Sequence, residues 1–431
     1  MKSRNILVWF RNDLRLHDNE MLVEAIAKSD KILPVYFFDP RHFVSTEQET
    51  FKTGVNRAKF LLESVGEIRK AFQGLGGDIL LIKGKPEDEL PLLVEQMEIT
   101  EVYHHREVAV EETDVSTHAE DILWKHKVNL KHFIGHTLYN KEDLPFPIKD
   151  IPDVFTQFKK KTERDAIVKP CILSPSEITF VETEHWGDLP NLADLGFDPE
   201  NELLAGDGDI RGGENEGLLH LESLLMLGSD LFQKSVSKGT VLQDKCISKL
   251  SSWLSLGCLS PRKVYWMIKE AENLQGSNAY FNQVLLGLLW RDYFRFMFKK
   301  HGRAFCNTPD LDTHLLVENS FAPDLFMQWK NGDTGHPLVD KYMVQLNTTG
   351  FIPHSARLLV ATFLIYFLKV DWTLGAAYFE EKLIDYASAS NWGNWAIVAA
   401  GGENKQNKSA FSHEKYMKLL EAEGAASKTL V

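Results

Sequence analysis

Cysteine is scarce in this chain and never clustered. Cys171, Cys246, Cys258 and Cys306 are the only four in 431 residues, and no CxxC pair occurs. Thiolate-held zinc and iron–sulfur sites need closely spaced cysteines, which this chain lacks, so no metal centre is expected, and free buried thiols are. Long hydrophobic runs are missing too. The longest, LLVATFLIYFL at 358–368, falls short of the roughly 18 residues a membrane-spanning helix needs. The opening MKSRNILVWFRNDLR returns to charge after one short apolar run, unlike a secretory signal, so a cytoplasmic protein with no membrane partner is expected.

An excess of positive charge is absent as well. The net charge is -13, and it is unevenly spread: residues 1–200 hold 25 basic and 36 acidic side chains, residues 201–431 hold 23 and 25. Any surface that meets phosphates therefore belongs to the second half. No GxSxG, GxxxxGK[ST] or HExxH motif is present, which removes the common hydrolase, P-loop and zinc-protease chemistries. The histidines are scattered, and His104 and His105 read as loop surface after a strand.

What is present is an ordinary globular composition, 44% apolar and 25% charged, in a chain too long for one typical domain. The first half alternates strands with helices. NILVWF (5–10), KILPVYFFD (31–39), DILLIKG (78–84) and ITEVYHH (99–105) are β-rich apolar runs, separated by helical stretches such as NRAKFLLESVGEIRKAFQGLG. That pattern predicts an α/β domain with a parallel, Rossmann-like sheet over 1–135. The glycines of GLGGD (74–78) precede a strand, so they end a helix; a dinucleotide fingerprint would follow a strand and open a helix. Over 136–210 the periodicity breaks down into proline-rich and acidic pieces, which predicts a connector wrapped over the surface. From 211 to 431 the pattern is helical throughout, giving an all-α second domain. Its helix at about 355–370 is apolar on nearly every face and should lie at the centre.

Polar and aromatic residues gather in that helical half. SKLSSWLSLGCLSPRK (248–263) places Ser248, Lys249 and Ser251 just ahead of a helix, where they either hold a pyrophosphate or form an ordinary serine-rich cap. NWGNW (391–395) reads as a turn that packs two indoles and two amides round one glycine. It either plugs the core or holds something flat and polar. VEETDV (110–115) reads as an acidic solvated loop containing Glu111 and Glu112.

Taken together, ILVWFRNDLRLHDN (6–19), GHTLYNKEDLPF (135–146), PDVFTQF (152–158), IRGGENEGLLHL, WLSLGCLSPR, LLWRDYFRF, WKNGDTGHPLVDKYM (329–343) and DYASASNWGNW resemble the photolyase/cryptochrome family. TLY and PDVFTQF point to its DASH branch. The blocks run colinearly through nearly the whole chain. The resemblance implies a light-absorbing FAD in the helical domain and a methenyltetrahydrofolate antenna near the α/β domain. It also implies a monomer, and damaged or single-stranded DNA as the partner of a lyase that splits pyrimidine dimers.

Residue by residue, the resemblance sets Asn391 facing the flavin N5. It makes Trp395 and Trp372 the first two indoles of an electron-transfer chain, and Ser248, Lys249, Leu250 and Ser251 the phosphate-binding segment. Arg291 lies against the cofactor, and Arg357 with Asp385 forms an ion pair beneath the ring. Trp290 and His354 fall on the DNA side. Departures from the pattern are equally specific. His354 and Ser355 replace an asparagine–arginine cluster, Gly287 a lesion-contacting glutamate, and Ala387 an acidic flavin partner. Ile397 replaces an aromatic ring, Asn319 stands at the place of the third indole, and the pattern's C-terminal segment is short. These losses predict weak repair of duplex DNA, with single strands the better substrate because a flipped base costs less to extract there. The alternative is a light-sensing flavoprotein that has lost repair.

Overall fold

The computed structural model describes residues 3–45, 50–198, 210–236, 248–305, 323–400 and 415–421. Five strands form one parallel sheet: β1 (Asn5–Phe10), β2 (Lys31–Phe38), β3 (Leu80–Lys83), β4 (Ile99–His105) and β5 (Asn129–Phe133), in the order β3-β2-β1-β4-β5. Helices α1 (Glu20–Lys28), α2 (Val55–Gly74), α3 (Pro86–Gln96) and α4 (Val110–Lys125) are the crossovers. Because helices cover both faces, the central strands carry no polar face: all six residues of β1 are buried.

Two sequence expectations fail in this sheet. β5, NLKHF, has too few apolar residues to declare itself, since it is an edge strand with a buried Leu130 and Phe133 between polar neighbours. His104 and His105 are interior residues of β4, each 0% exposed, rather than loop surface. His105 Nδ1 lies 2.5 Å from Asp13 Oδ2, and His104 Nε2 lies 2.7 Å from His132 Nδ1. Imidazole is tolerated there because a partner meets one nitrogen of each ring.

The connector is mostly irregular and wraps the sheet, with Ile32 exchanging backbone bonds with Thr179 and Val181 at 2.9 Å each. It also contains a helix that its lysine-rich sequence concealed, α5 (Phe155–Asp165), which buries only Phe155, Phe158 and Thr162. Beyond it come α6 (Glu214–Val236), the short α7 (Ser251–Ser255), α8 (Pro261–Gln275), α9 (Ala279–His301), α10 (Pro323–Asn331), α11 (Pro337–Thr349), α12 (His354–Thr362), α13 (Trp372–Lys382) and α14 (Ser388–Ala399). The apolar run expected at the centre forms α12 and the π-helical turn Phe363–Phe367 that continues it, with Leu358 to Ile365 buried. Among the described residues no helix is long and apolar enough to cross a membrane.

Three motifs that lie far apart in sequence make one seam between the sheet and the helices. From FRNDLRLHDN, Asp18 takes two bonds from Arg262 of LSPR, at 2.7 and 2.9 Å, with both residues buried. His17 meets Glu214 of GGENEG at 2.5 Å, and Arg15 donates to the carbonyls of Gly257 and Gly135 at 2.8 and 2.9 Å. Gly257 has φ of 66°, and a Cβ there would stand 1.9 Å from the Asn12 carbonyl oxygen, so only glycine closes the seam.

Candidate functional site

The loop between α13 and α14 and one face each of α12 and α14 wall one cavity, lined by His354, Arg357, Asp385, Ala387, Asn391 and Trp395 among others. Arg357 reaches across from α12: its Nη2 donates to Asp385 Oδ2 at 2.8 Å and Oδ1 at 3.0 Å, while its Nε is held by the Ile352 carbonyl at 3.0 Å. Asp385 is only 8% exposed, so this cation keeps a buried carboxylate paired. Asn391 gives its Nδ2 to the Ala376 carbonyl at 3.0 Å, which leaves Oδ1 as the acceptor on the cavity side. Trp395 packs edge-on to Phe379 with centroids 5.1 Å apart.

NWGNW is not a turn. It lies inside α14, where Ser390, Asn391, Asn394, Trp395 and Val398 share the face that lines the cavity, the i, i+1, i+4, i+5, i+8 spacing of one helical stripe. Ser390 and Asn394 were missed because that reading treated the segment as a turn; a helical wheel would have found them. The glycine serves packing: a Cβ on Gly393 would stand 2.3 Å from Phe294 Cδ1, so its absence lets α14 rest on α9.

Lys249 lines a second, larger cavity of about 920 Å³, together with Phe351 and Ile384. The Arg357 guanidinium sits 5.3 Å from the Phe351 ring, so the two cavities share a wall. Lys249 itself has φ of 54°, Leu250 is buried, and the Ser248 carbonyl lies 2.8 Å from His220 Nε2.

Other expected site residues stand elsewhere. Arg291 is not on the wall of either cavity: it donates to the Leu254 carbonyl at 2.6 Å and to that of His136, tying α7 and the connector to α9. Trp290 is covered on one face by Phe155, with centroids 3.5 Å apart and planes 11° from parallel. Trp372 packs edge-to-face on Trp392, away from the first cavity's wall. Cys246, Cys306 and Asn319 lie outside the described residues; Cys171 and Cys258 are free.

A third cavity of about 510 Å³ separates the two halves at the carboxyl ends of β1 and β2, lined by Trp9, Arg11, Tyr36, Glu112, Tyr386 and Ser388 among others. Open α/β sheets favour ligands at this end. Glu111 and Glu112 occupy the first turn of α4, a helix rather than the expected loop. Glu112 accepts from Ser388 Oγ at 3.2 Å, and burial, with Glu107 nearby, pushes its carboxyl up to about 7. Burial also works against ionised Glu107, but Arg295 and His136 outweigh it and hold that carboxyl well below its ordinary range. Tyr386 stands on the walls of both this cavity and the first.

Comparison with known proteins agrees with this geometry. Residues 6–175 match the DNA photolyase family model and residues 284–426 the FAD binding domain of DNA photolyase. The chain belongs to the photolyase/cryptochrome family. Within it, relatives that match nearly the whole of this chain are DASH cryptochromes: the chain is 38% identical to that of Gloeobacter violaceus over 99% of its own length and 85% of the relative's. It is 36% identical to the chloroplastic/mitochondrial one of Arabidopsis thaliana, over 97% and 74%. The Synechocystis cryptochrome structure superposes with a TM-score of 0.87 at 35% identity, covering 99% of this chain and 89% of that one. A class III photolyase from Agrobacterium tumefaciens shares the fold, with a TM-score of 0.81 at 23% identity.

The lining suits the flavin that such a domain binds. An amide oxygen faces the space, and a guanidinium with its own counter-ion stands one side chain away. The room beside Asn391 is about 50 Å³, and the larger cavity of about 920 Å³ lies across the Arg357–Phe351 contact.

Proposed function

We propose that this protein is a FAD-dependent, blue-light-absorbing DASH-type cryptochrome/photolyase that acts on cyclobutane pyrimidine dimers in single-stranded DNA. The observation that carries the reading is the Arg357–Asp385 pair beside Asn391 and Trp395 on one cavity wall. A bound flavin supplies light absorption and one-electron transfer; the protein supplies binding, orientation and field. Asn391 would hold the ring's central edge with its amide, whose Oδ1 could accept a hydrogen bond when the ring nitrogen is protonated. Arg357 offsets negative charge gathering there, in a site dry enough for one cation to matter. Asp385 keeps Arg357 aimed. Ser248, Lys249, Leu250 and Ser251 would hold the phosphates, Lys249 from the wall of the larger cavity. No side chain needs to act as a general acid or base.

Single strands are favoured because the mouth has lost the groups that extract a base from a duplex. Gly287 and Ile397 carry no polar group for a base edge, His354 with Ser355 replaces an asparagine–arginine cluster, and Trp290 has one face already taken by Phe155. That same stack favours a second reading, a light-sensing flavoprotein without repair. The third cavity suits a folate antenna: Trp9 and Tyr36 give it aromatic walls, and Glu112 can present a carboxyl to an amino-pterin edge.

The deciding experiment is to purify the protein, reduce the bound FAD, and illuminate it with oligothymidine containing dimers. Recovery of thymine absorbance supports repair. A yellow protein that restores none is the sensory flavoprotein, and a colourless one that takes up no FAD sinks both readings.

A further inference from the structure

Four of the chain's indoles fall into two edge-to-face pairs in the helical half. Trp395, on the first cavity's wall, meets Trp329 with centroids 6.3 Å apart; Trp329 is 0% exposed, and its N–H is held by the Val360 carbonyl at 3.0 Å. Trp372 meets Trp392 at 5.9 Å and 74°. The pairs are joined through packing. A Cβ on Gly375 would stand 2.3 Å from Trp395 Cη2, so that ring lies against α13 one turn beyond Trp372. Trp392 and Trp395 are three residues apart on α14, hence on neighbouring turns.

An electron vacancy in a chain of indoles settles where positive charge is best solvated and where the ring N–H can give its proton to water, because a buried charge without a partner is costly. Trp329, Trp372 and Trp395 are 0%, 5% and 3% exposed; Trp392 alone of the four is only half-buried. Trp329 is therefore a dead end, and the pair reached through α13 leads outward.

We propose that Trp392 is the terminal electron relay of this protein, standing in for the indole that the chain lacks at Asn319. The proposal rests on the FAD reading above. One electron leaves Trp395 for the light-excited flavin. The vacancy passes to Trp372 and then to Trp392, whose N–H proton goes to water. An external thiol then returns one electron and one proton to the neutral indolyl radical, so the thiol is oxidised and Trp392 is restored.

The test uses the flavin-loaded full chain and its Trp392→Phe, Trp392→Tyr and Trp329→Phe variants, with flavin content read from absorbance before illumination. Illumination in air without thiol, followed by peptide mass spectrometry, should place oxidative modification on Trp392 in the parent and not on Trp329. With thiol, the yield of photoreduction should fall at least fivefold in Trp392→Phe, fall less in Trp392→Tyr, and stay unchanged in Trp329→Phe. Parent-like photoreduction in Trp392→Phe, or oxidation mapping to Trp329, overturns the relay while leaving the flavin reading intact. A chain that binds no flavin at all shows this before any light is applied and overturns both.

Discussion

The seam between the two halves and the mouth of the flavin cavity are both built from blocks of the same family pattern, but they have fared differently. At the seam, the charged groups that lock together Asp18, Arg262, His17, Glu214 and Arg15 are all present and bonded. On the cavity side, Ala387 lies on the wall, Gly287 and Ile397 carry neither a polar nor an aromatic group, and Trp290 is stacked on Phe155. Residues that position the two domains lose stability if changed, whatever the protein does; residues that grip a substrate can drift once that substrate changes. Likeness in the seam therefore speaks for the fold, and the mouth alone speaks for the substrate.

The sharpest way to break this contrast is at the seam. Arg262→Met leaves Asp18 buried without its cation and should cost about 3–5 kcal/mol in chemical denaturation. A cost below about 1 kcal/mol would mean that the seam is not what holds the halves together.

A second effect is a pH dependence seated at the same junction. Asp292 accepts the backbone N–H groups of Leu138 and Tyr139 at 3.0 and 3.1 Å, and burial still pushes its carboxyl up to about 7. Glu112 is raised to a similar value. A folded pKa above the unfolded one means that these protons stabilise the fold below the ordinary carboxyl range, and the gain is lost as pH rises through 7. Between pH 5 and pH 8 these two carboxyls work against stability, while buried histidines such as His104 and His136, whose pKa burial lowers, work the other way. The readout is therefore the difference between proteins in denaturant: Asp292→Asn should remove roughly 1–4 kcal/mol of the carboxyl loss relative to the parent. An unaltered slope would assign the effect elsewhere.

At the cavity wall, Gly375→Ala drives a methyl into Trp395 and Leu364, with Cβ at 2.3 and 2.6 Å from them. Overpacking of this kind costs about 1–3 kcal/mol. Near-ultraviolet circular dichroism should report the displaced indole. A wild-type spectrum would show that Trp395 has room to yield.

Periodicity made the sheet legible wherever strands are buried on both faces: β1 and β4 fall where NILVWF and ITEVYHH place them. It failed for β5 and α5, which bury two and three residues respectively among polar neighbours and so carry little pattern. Within the site, Arg357 and Asp385 were readable as a pair only through resemblance, because 28 residues of sequence separate them. Ser390 and Asn394 were hidden by reading a helix as a turn, an error that the dense tryptophan and glycine of NWGNW invite. The burial of Trp290 under Phe155 had no signal at all, since contacts between a connector and a distant helix leave no local period.

That stack also gives the smallest and most discriminating prediction. If Trp290 serves as a platform for a base on the face that Phe155 covers, a strand must first displace the Phe155 ring, and an aromatic pair is worth about 0.5–1.5 kcal/mol beyond its buried area. Phe155→Leu keeps most of the volume against Tyr293 and Phe158 but removes the stacked face. Single-stranded oligothymidine should then bind this variant roughly two- to tenfold more tightly, read as fluorescence anisotropy of a labelled strand, and Trp290→Ala should abolish the gain. If affinity does not move in either variant, Trp290 belongs with the seam as an architectural residue, and the mouth retains no aromatic platform of its own for DNA.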